Sequence, residues 1–279
     1  MSDSLRIGVA QVRSYLGDVE RNLETHLVYV ERAKKEGVDV LAFPELSLTG
    51  YLLRDLAYEV SGRSYAALER LAEASQGLCV LVGLVYEPRV GIYENSIAVI
   101  RDGVISGFVS KLYLPDYGLF EESKYFREGS ARRKRVFEWK GWSFGSVICE
   151  DAWHPEPAEL VARLKADVIF IHSSSPIGGL YGVGDTFIER VWEAIAVTRA
   201  VENSSYVVFA NRVGPEDEEY FWGGSLVVAP DGEVIARAKK MEEDLLVVDL
   251  DMYRLRSVRS FSSFKRHRRD LHRLLGELE

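Results

Sequence analysis

Residues 144–153 read FGSVICEDAW. The apolar half of this stretch, closing on the β-branched pair Val147-Ile148, is strand material, and Cys149-Glu150-Asp151 follows with no turn residue between. A helical pattern near 156–165 comes next, so a strand delivers a thiol to a loop and the loop opens a helix. That order belongs to a layered α/β sheet whose strand ends carry the chemistry. The two neighbouring carboxylates should by themselves make the thiol harder to ionise. A nucleophilic Cys149 therefore calls for a cation from a distant part of the chain; otherwise it is a small buried hydrophobe.

Working outward, residues 5–12 alternate as a strand, and Asp18 offers an N-cap to a helix with Val19, Leu23, Leu27 and Val30 at helical spacing. Gly37 ends that helix and VDVLAF forms a short strand. A helix is expected over 64–76, then strands over 78–86, 94–101 and 104–110, the last two joined at Asp102-Gly103. Downstream the pattern predicts strands 134–139 and 143–149, helix 156–165, strand 167–171, a glycine-rich loop 173–184, helix 185–203 and strand 206–211. GGSLVVAPDGEVIARA reads as a hairpin and LLVVDLD as a further strand. This alternation predicts an α/β fold with mixed sheets, and no linker divides it.

The bulk composition excludes several classes. With 279 residues, 47% of them hydrophobic, the chain can bury a full core. Its longest apolar run, CVLVGLVY at 79–86, is far short of the ~20 residues that span a bilayer, and the N-terminus shows no cleavable hydrophobic segment. No membrane role is expected, and a cytoplasmic location is. Cys79 and Cys149 make no disulfide framework and fit a reducing compartment. A net charge of −8 argues against nucleic-acid binding. Against that trend, Arg254, Arg256, Arg259, Lys265, Arg266, Arg268, Arg269 and Arg273 face only Asp270. Such a run reads as a solvated or interface-forming helix, and it sets a basic C-terminal extension, 251–279, apart from the main domain, 1–250. Glutamine occurs only as Gln11 and Gln76, a scarcity of thermolabile amides that suggests a thermophilic source.

Three motifs mislead. GWSFG at 141–145 matches the serine-hydrolase elbow, yet Ser143 precedes its strand instead of following it. GGLYGVG lacks the Lys-Ser/Thr pair of a phosphate loop. Neither His154, His172, His267 nor His272 has metal-motif spacing, so metal chemistry is not expected. Two further stretches answer the question that Cys149 poses. In FPELSLTGYLLRDL, Glu45 leaves the strand VLAF; in SKLYLPDYGLFEESKYF, Lys111 leaves the strand 104–110. Singly, Glu45 reads equally well as a helix cap and Lys111 as a surface lysine.

Together, FPELSLTGY, KLYLPDYGLFEESKYF and GSVICEDAW are similar to the three signature blocks of the nitrilase, or carbon-nitrogen hydrolase, superfamily. The likeness runs over roughly residues 5–250 and is greatest to the glutaminase domain of glutamine-dependent NAD synthetase. The resemblance implies a four-layer α-β-β-α sandwich with two mixed sheets and a Glu45-Lys111-Cys149 triad, with Glu122 as an accompanying carboxylate. It further implies a cysteine thioester, release of ammonia from a non-peptide amide, and no cofactor. Tyr117, Glu150, Ser174, Ser175 and Tyr181 are the substrate-pocket candidates, Glu150 through its backbone N–H; Asp151 is expected to brace the loop. The chain contains no Ser-Gly-Gly-x-Asp-Ser phosphate loop, so synthetase activity is not expected of it. The glutaminase pattern also places a basic residue soon after the Ser-Pro of SSSPIGGLYGVGD, where this chain has Gly178, Gly179 and Leu180. Glutamine is thus one candidate beside less charged amides, with ammonia supply to a separately encoded NAD synthetase as one role. Small nitriles, or a noncatalytic interaction subunit with the same fold, are the alternatives. Homo-oligomerisation, as a dimer or higher, is implied by resemblance.

Overall fold

The computed structural model of the chain describes residues 3–177 and 186–262. The first half runs β1 (Ser4–Gln11), α1 (Val19–Lys35), β2 (Val40–Ala42), α2 (Ala57–Ala74), β3 (Cys79–Arg89), β4 (Ile92–Arg101) and β5 (Val104–Ser110). A short helix, α3 (Glu122–Tyr125), leads to β6 (Val136–Trp139), β7 (Trp142–Ile148), α4 (Pro155–Arg163), β8 (Val168–Ser173), α5 (Thr186–Asn203) and β9 (Tyr206–Asn211). The chain closes with β10 (Val213–Glu216), β11 (Glu219–Trp222), β12 (Leu226–Val228), β13 (Val234–Arg237), β14 (Asp244–Asp251) and α6 (Met252–Phe261).

Two six-stranded sheets result, ordered β14-β1-β2-β3-β4-β5 and β13-β12-β9-β8-β7-β6. In each, parallel strands occupy the middle (β1-β2-β3; β9-β8-β7) and antiparallel strands the flanks. Alternation along the strands explains the layering. Leu5, Ile7, Val9, Cys79 and Leu81 face the second sheet and share a core with Val147, Ile148 and Phe170. The intervening Ala10, Val80, Val82 and Leu84 face outward onto Leu23, Val30, Leu68 and Leu71 of α1 and α2. On the opposite side α4 packs on β7 and α5 on β9, which completes four layers, helix-sheet-sheet-helix. Among the described residues no helix is long and apolar enough to cross a membrane.

Several elements differ from the sequence reading. Helix α2 starts at Ala57 rather than near 64, because Val60, Ser61 and Ser64 are buried against the sheet and tertiary packing overrides the low propensity of Gly62. Strand β8 continues two residues past its expected end, to Ser173. The hairpin β10-β11 was not expected; Pro215 and its run of acidic residues conceal it. The Asp102-Gly103 turn has both residues at positive φ, 50° and 77°, as the tightest hairpins require. In the basic C-terminal segment, Arg254 pairs with Asp231 and Glu233, and Arg259 with Asp167, so these two face their own chain rather than open solvent. Residues 263–279, with His267 and His272, lie outside the described residues.

Candidate active site

Three strand ends converge. Glu45 follows β2 through Phe43-Pro44, Lys111 follows β5, and Cys149 follows β7. The Glu45 turn packs directly on β3: Leu48 N–H donates to Gly83 O, and a Cβ at Gly83 would lie 2.3 Å from both Leu46 N and Pro44 O. Leu46 and Cys149 adopt the left-handed region, at φ 48° and 45°. Backbone of that kind in residues with a Cβ is strained, and it is held here by the packing on both sides.

Lys111 and Glu45 are fully buried, with Nζ 2.7 Å from Glu45 Oε1 and 2.6 Å from Glu122 Oε1. Glu45 Oε1 also accepts from Asn95 Nδ2 at 2.8 Å, and its Oε2 from Ser174 N at 2.9 Å. Glu122 Oε1 additionally accepts from Tyr51 Oη at 2.6 Å, while its Oε2 is buried with no partner among the described residues. Burial disfavours the Lys111 ammonium, but Glu122 and Glu45 more than offset that and hold its pKa well above the ordinary lysine value. Burial pushes Glu122 up to about 7, with Lys111 pulling down and Glu45 pushing up. Two buried carboxylates share one ammonium, so one of them is brought close to taking a proton.

Cys149 sits beside this cluster, the residue 8% exposed. Its pKa is pushed well up, first by burial and then by Glu45, against the opposing pull of Lys111 and of a hydrogen bond from Ser173. The resting side chain is therefore the neutral thiol, and the carboxylates that oppose its ionisation are Glu45 and Glu122 rather than its neighbours in sequence. Asp151 is turned away: Oδ1 accepts from Leu112 N and Tyr113 N, and Oδ2 from Ile148 N. It ties the loop after Lys111 to the turn that carries Cys149. Glu150 Oε2 accepts from Tyr117 Oη at 2.5 Å, and its Oε1 lies 3.4 Å from His154 Nε2.

Cys149 opens into a cleft of about 380 Å³, mouth included, walled by Pro115, Tyr117, Phe120, Trp153, Ile188 and Trp192, with Glu150 and Ser175 as its polar members. Of the sequence candidates, Tyr117, Glu150 and Ser175 line this cleft. Ser174 does not: it is fully buried, and both its N–H and its hydroxyl donate to Glu45. Tyr181 lies outside the described residues. Neither described histidine near the cysteine is available as a partner. His172 donates from Nδ1 to Phe43 O and accepts at Nε2 from Ser146 Oγ; His154 stacks on Tyr113 at 4.0 Å. Asn95, Tyr51, Ser173 and Gly83 were missed. A signal existed for Asn95: Glu94-Asn95-Ser96 are three consecutive polar residues in an otherwise apolar strand, and all three are buried.

Residues 6–260 match the family described as carbon-nitrogen hydrolase. The chain is 36% identical over 256 residues to the glutamine-dependent NAD(+) synthetase of Thermotoga maritima, which covers 89% of this chain and 42% of that protein. It spans less than half the length of the curated relatives it matches. Among solved structures, a carbon-nitrogen hydrolase from Helicobacter pylori G27 superposes with a TM-score of 0.85 at 26% identity, covering 96% of each chain. A mutant amidase from Nesterenkonia sp. AN1 superposes with a TM-score of 0.82 at 26% identity, covering 96% of this chain and 95% of that one. That protein carries the acetamide moiety of fluoroacetamide added covalently at its active-site cysteine.

Proposed function

Because the chain belongs to the carbon-nitrogen hydrolase family, we propose that it hydrolyses a small non-peptide amide to a carboxylate and ammonia through a thioester on Cys149. One observation carries the reading: Glu45, Lys111 and Cys149, from three separate strand ends, meet in one buried cluster, and Cys149 lines a largely apolar cleft.

In this reaction the thiol proton passes to Glu45 as the sulfur pair bonds to the amide carbon, and the carbonyl π pair moves to oxygen. An ammonium has three donors, and Lys111 uses two on Glu45 and Glu122. The third is free for the developing oxyanion, with the backbone N–H of Glu150 as the second donor; losing one such donor costs ~3 kcal/mol. Glu45 returns its proton to nitrogen as the carbon-nitrogen bond breaks and ammonia leaves. Water then loses a proton to Glu45, attacks the thioester, and sulfur departs and is reprotonated. Glu122 keeps Lys111 in place throughout.

The cleft walls favour an amide whose remaining groups are apolar or cationic, since among the described residues Glu150 is the sole charged side chain lining it. Glutamine is the second reading. Its ammonium suits the Glu150-Tyr117 pair, and the T. maritima relative is named for glutamine dependence. In that role the protein would supply ammonia to a separately encoded NAD synthetase. Self-association belongs to the same proposal, supported by Tyr253 and Phe261 of α6, 78% and 88% exposed. So does a reducing, cytoplasmic setting, supported by the two free cysteines.

The test is ammonia release by purified protein from glutamine, butyramide and butyronitrile, with intact mass of the quenched enzyme. Ammonia from butyramide with an acyl adduct on Cys149 is expected. Turnover of the nitrile alone would make it a nitrilase, and no ammonia from any substrate would overturn the reading.

A further inference from the structure

We propose that Ser173 is a further catalytic residue, whose hydroxyl donates a hydrogen bond to the Cys149 sulfur and holds the negative charge that builds there when sulfur attacks and when it is expelled. The inference rests on the reading of Cys149 as nucleophile.

Strand β8 runs parallel to β7 with Ile148 in register with His172, so Cys149, the first residue after β7, and Ser173, the last of β8, emerge side by side. Ser173 Oγ lies 3.5 Å from Cys149 Sγ. The serine is fully buried, and among the described residues its hydroxyl has no other hydrogen-bond partner. Its neighbours are committed elsewhere. Ser174 holds Glu45; Ser175 donates its N–H to Asn211 Oδ1 and accepts from Trp192 Nε1. A buried hydroxyl with no acceptor is strongly disfavoured, so the Ser173 proton is directed at sulfur. Among the described residues the sulfur accepts no other hydrogen bond.

The same bond counters, in part, the burial and the nearby carboxylates that keep the thiol protonated. No proton leaves Ser173 during turnover. As the thiol proton moves to Glu45 and the sulfur pair forms its bond to carbon, the hydroxyl stabilises the partial thiolate. In the thioester the sulfur carries little charge and the bond slackens. When the sulfur-carbon bond breaks in the second half-reaction, the pair returns to sulfur and the donor is already in place.

The test needs no substrate. Ser173→Ala and Ser173→Thr are compared with wild type by the pH dependence of Cys149 alkylation with iodoacetamide, located by peptide mass so that Cys79 is counted separately. Ser173→Ala is expected to move the alkylation profile to higher pH and to slow alkylation at pH 8 about tenfold. Ser173→Thr, which keeps the hydroxyl, is expected to restore the profile. An unchanged profile in Ser173→Ala, or a shift that threonine does not reverse, overturns the assignment, since a spacer role would move stability without moving this titration. If Ser173→Ala does not fold, Ser173→Gly is read by the same two criteria. Absence of ammonia from every amide would sink the proposed function yet leave this alkylation result standing.

Discussion

Lys111 Nζ lies 2.7 Å from Glu45 Oε1, and neither side chain has any exposed surface. Burying such a pair is costly, and apolar residues of the same volume would serve stability as well or better. In the proposed reaction its presence is explained by chemistry. Glu45→Gln keeps acceptors for Lys111 and Asn95 but cannot take the thiol proton, so amide turnover should fall ~10²–10⁴-fold with the fold intact. Lys111→Met leaves two carboxylates facing each other without a cation. It should abolish turnover and cost about 3–5 kcal/mol of stability, as read by urea unfolding. Equal stability losses in the two variants would contradict this division of roles.

Gly83 touches no substrate, yet Gly83→Ala should inactivate. The added methyl would meet the Glu45 turn at 2.3 Å, against backbone atoms that cannot swing aside. Displacing Glu45 by even ~1 Å is expected to reduce kcat by ~100-fold, while overpacking costs about 1–3 kcal/mol. Steady-state kinetics on the folded variant decide it, and a kcat within twofold of wild type would show that the turn can yield.

Asp151 serves three backbone N–H groups on two loops. Asp151→Ala strands the buried Ile148 N–H and leaves the half-buried Leu112 and Tyr113 N–H groups without their acceptor, which should cost about 1–3 kcal/mol. Asp151→Asn can still accept from Leu112 and Tyr113 through one oxygen while its amide group faces the Ile148 N–H. It should fall between alanine and wild type in both urea midpoint and kcat. Alanine and asparagine variants of equal stability would mean that the loops are held by other contacts.

The sequence displays this site unevenly, and for physical reasons. Glu45, Lys111 and Cys149 each follow a strand end, but singly each has an ordinary structural reading; they stand out together through the resemblance of FPELSLTGY, KLYLPDYGLFEESKYF and GSVICEDAW to the family's signature blocks. The layers are legible because period-two and period-3.6 patterns alternate along the chain. Ser173 and Ser174 are not separable by sequence: both are small and adjacent, and only the strand register decides that one faces Cys149 and the other Glu45. The β10-β11 hairpin is hidden because Glu216 at its tip is an acid with a buried job, pairing with Arg212 and accepting from Tyr51 N and Leu52 N. Charge patterns on a strand read as surface, and here the surface reading fails because a second charge four residues earlier, Arg212, is buried with the first.

His26 provides a prediction on stability against pH. It is buried, donates from Nδ1 to Asn22 O, and accepts at Nε2 from Ser47 Oγ beside the Glu45 turn. Burial lowers its pKa from 6.5 to about 4, opposed by the bond to Asn22. Between those values the unfolded chain binds a proton that the folded chain refuses, so stability falls as pH drops from about 6.5 to about 4. One pKa unit is ~1.4 kcal/mol, so the loss approaches ~3 kcal/mol at the acid end. His26→Gln removes this term while leaving a side chain able to bond Ser47. Urea unfolding across the window should show the gap between wild type and variant narrowing as pH falls, with little change between pH 7 and 8. His172 and the raised carboxylates of Glu122 and Asp151 are common to both proteins and cancel in the difference. A gap that stayed constant from pH 7 to 4 would mean that His26 accepts its proton in the folded state as readily as in the unfolded one.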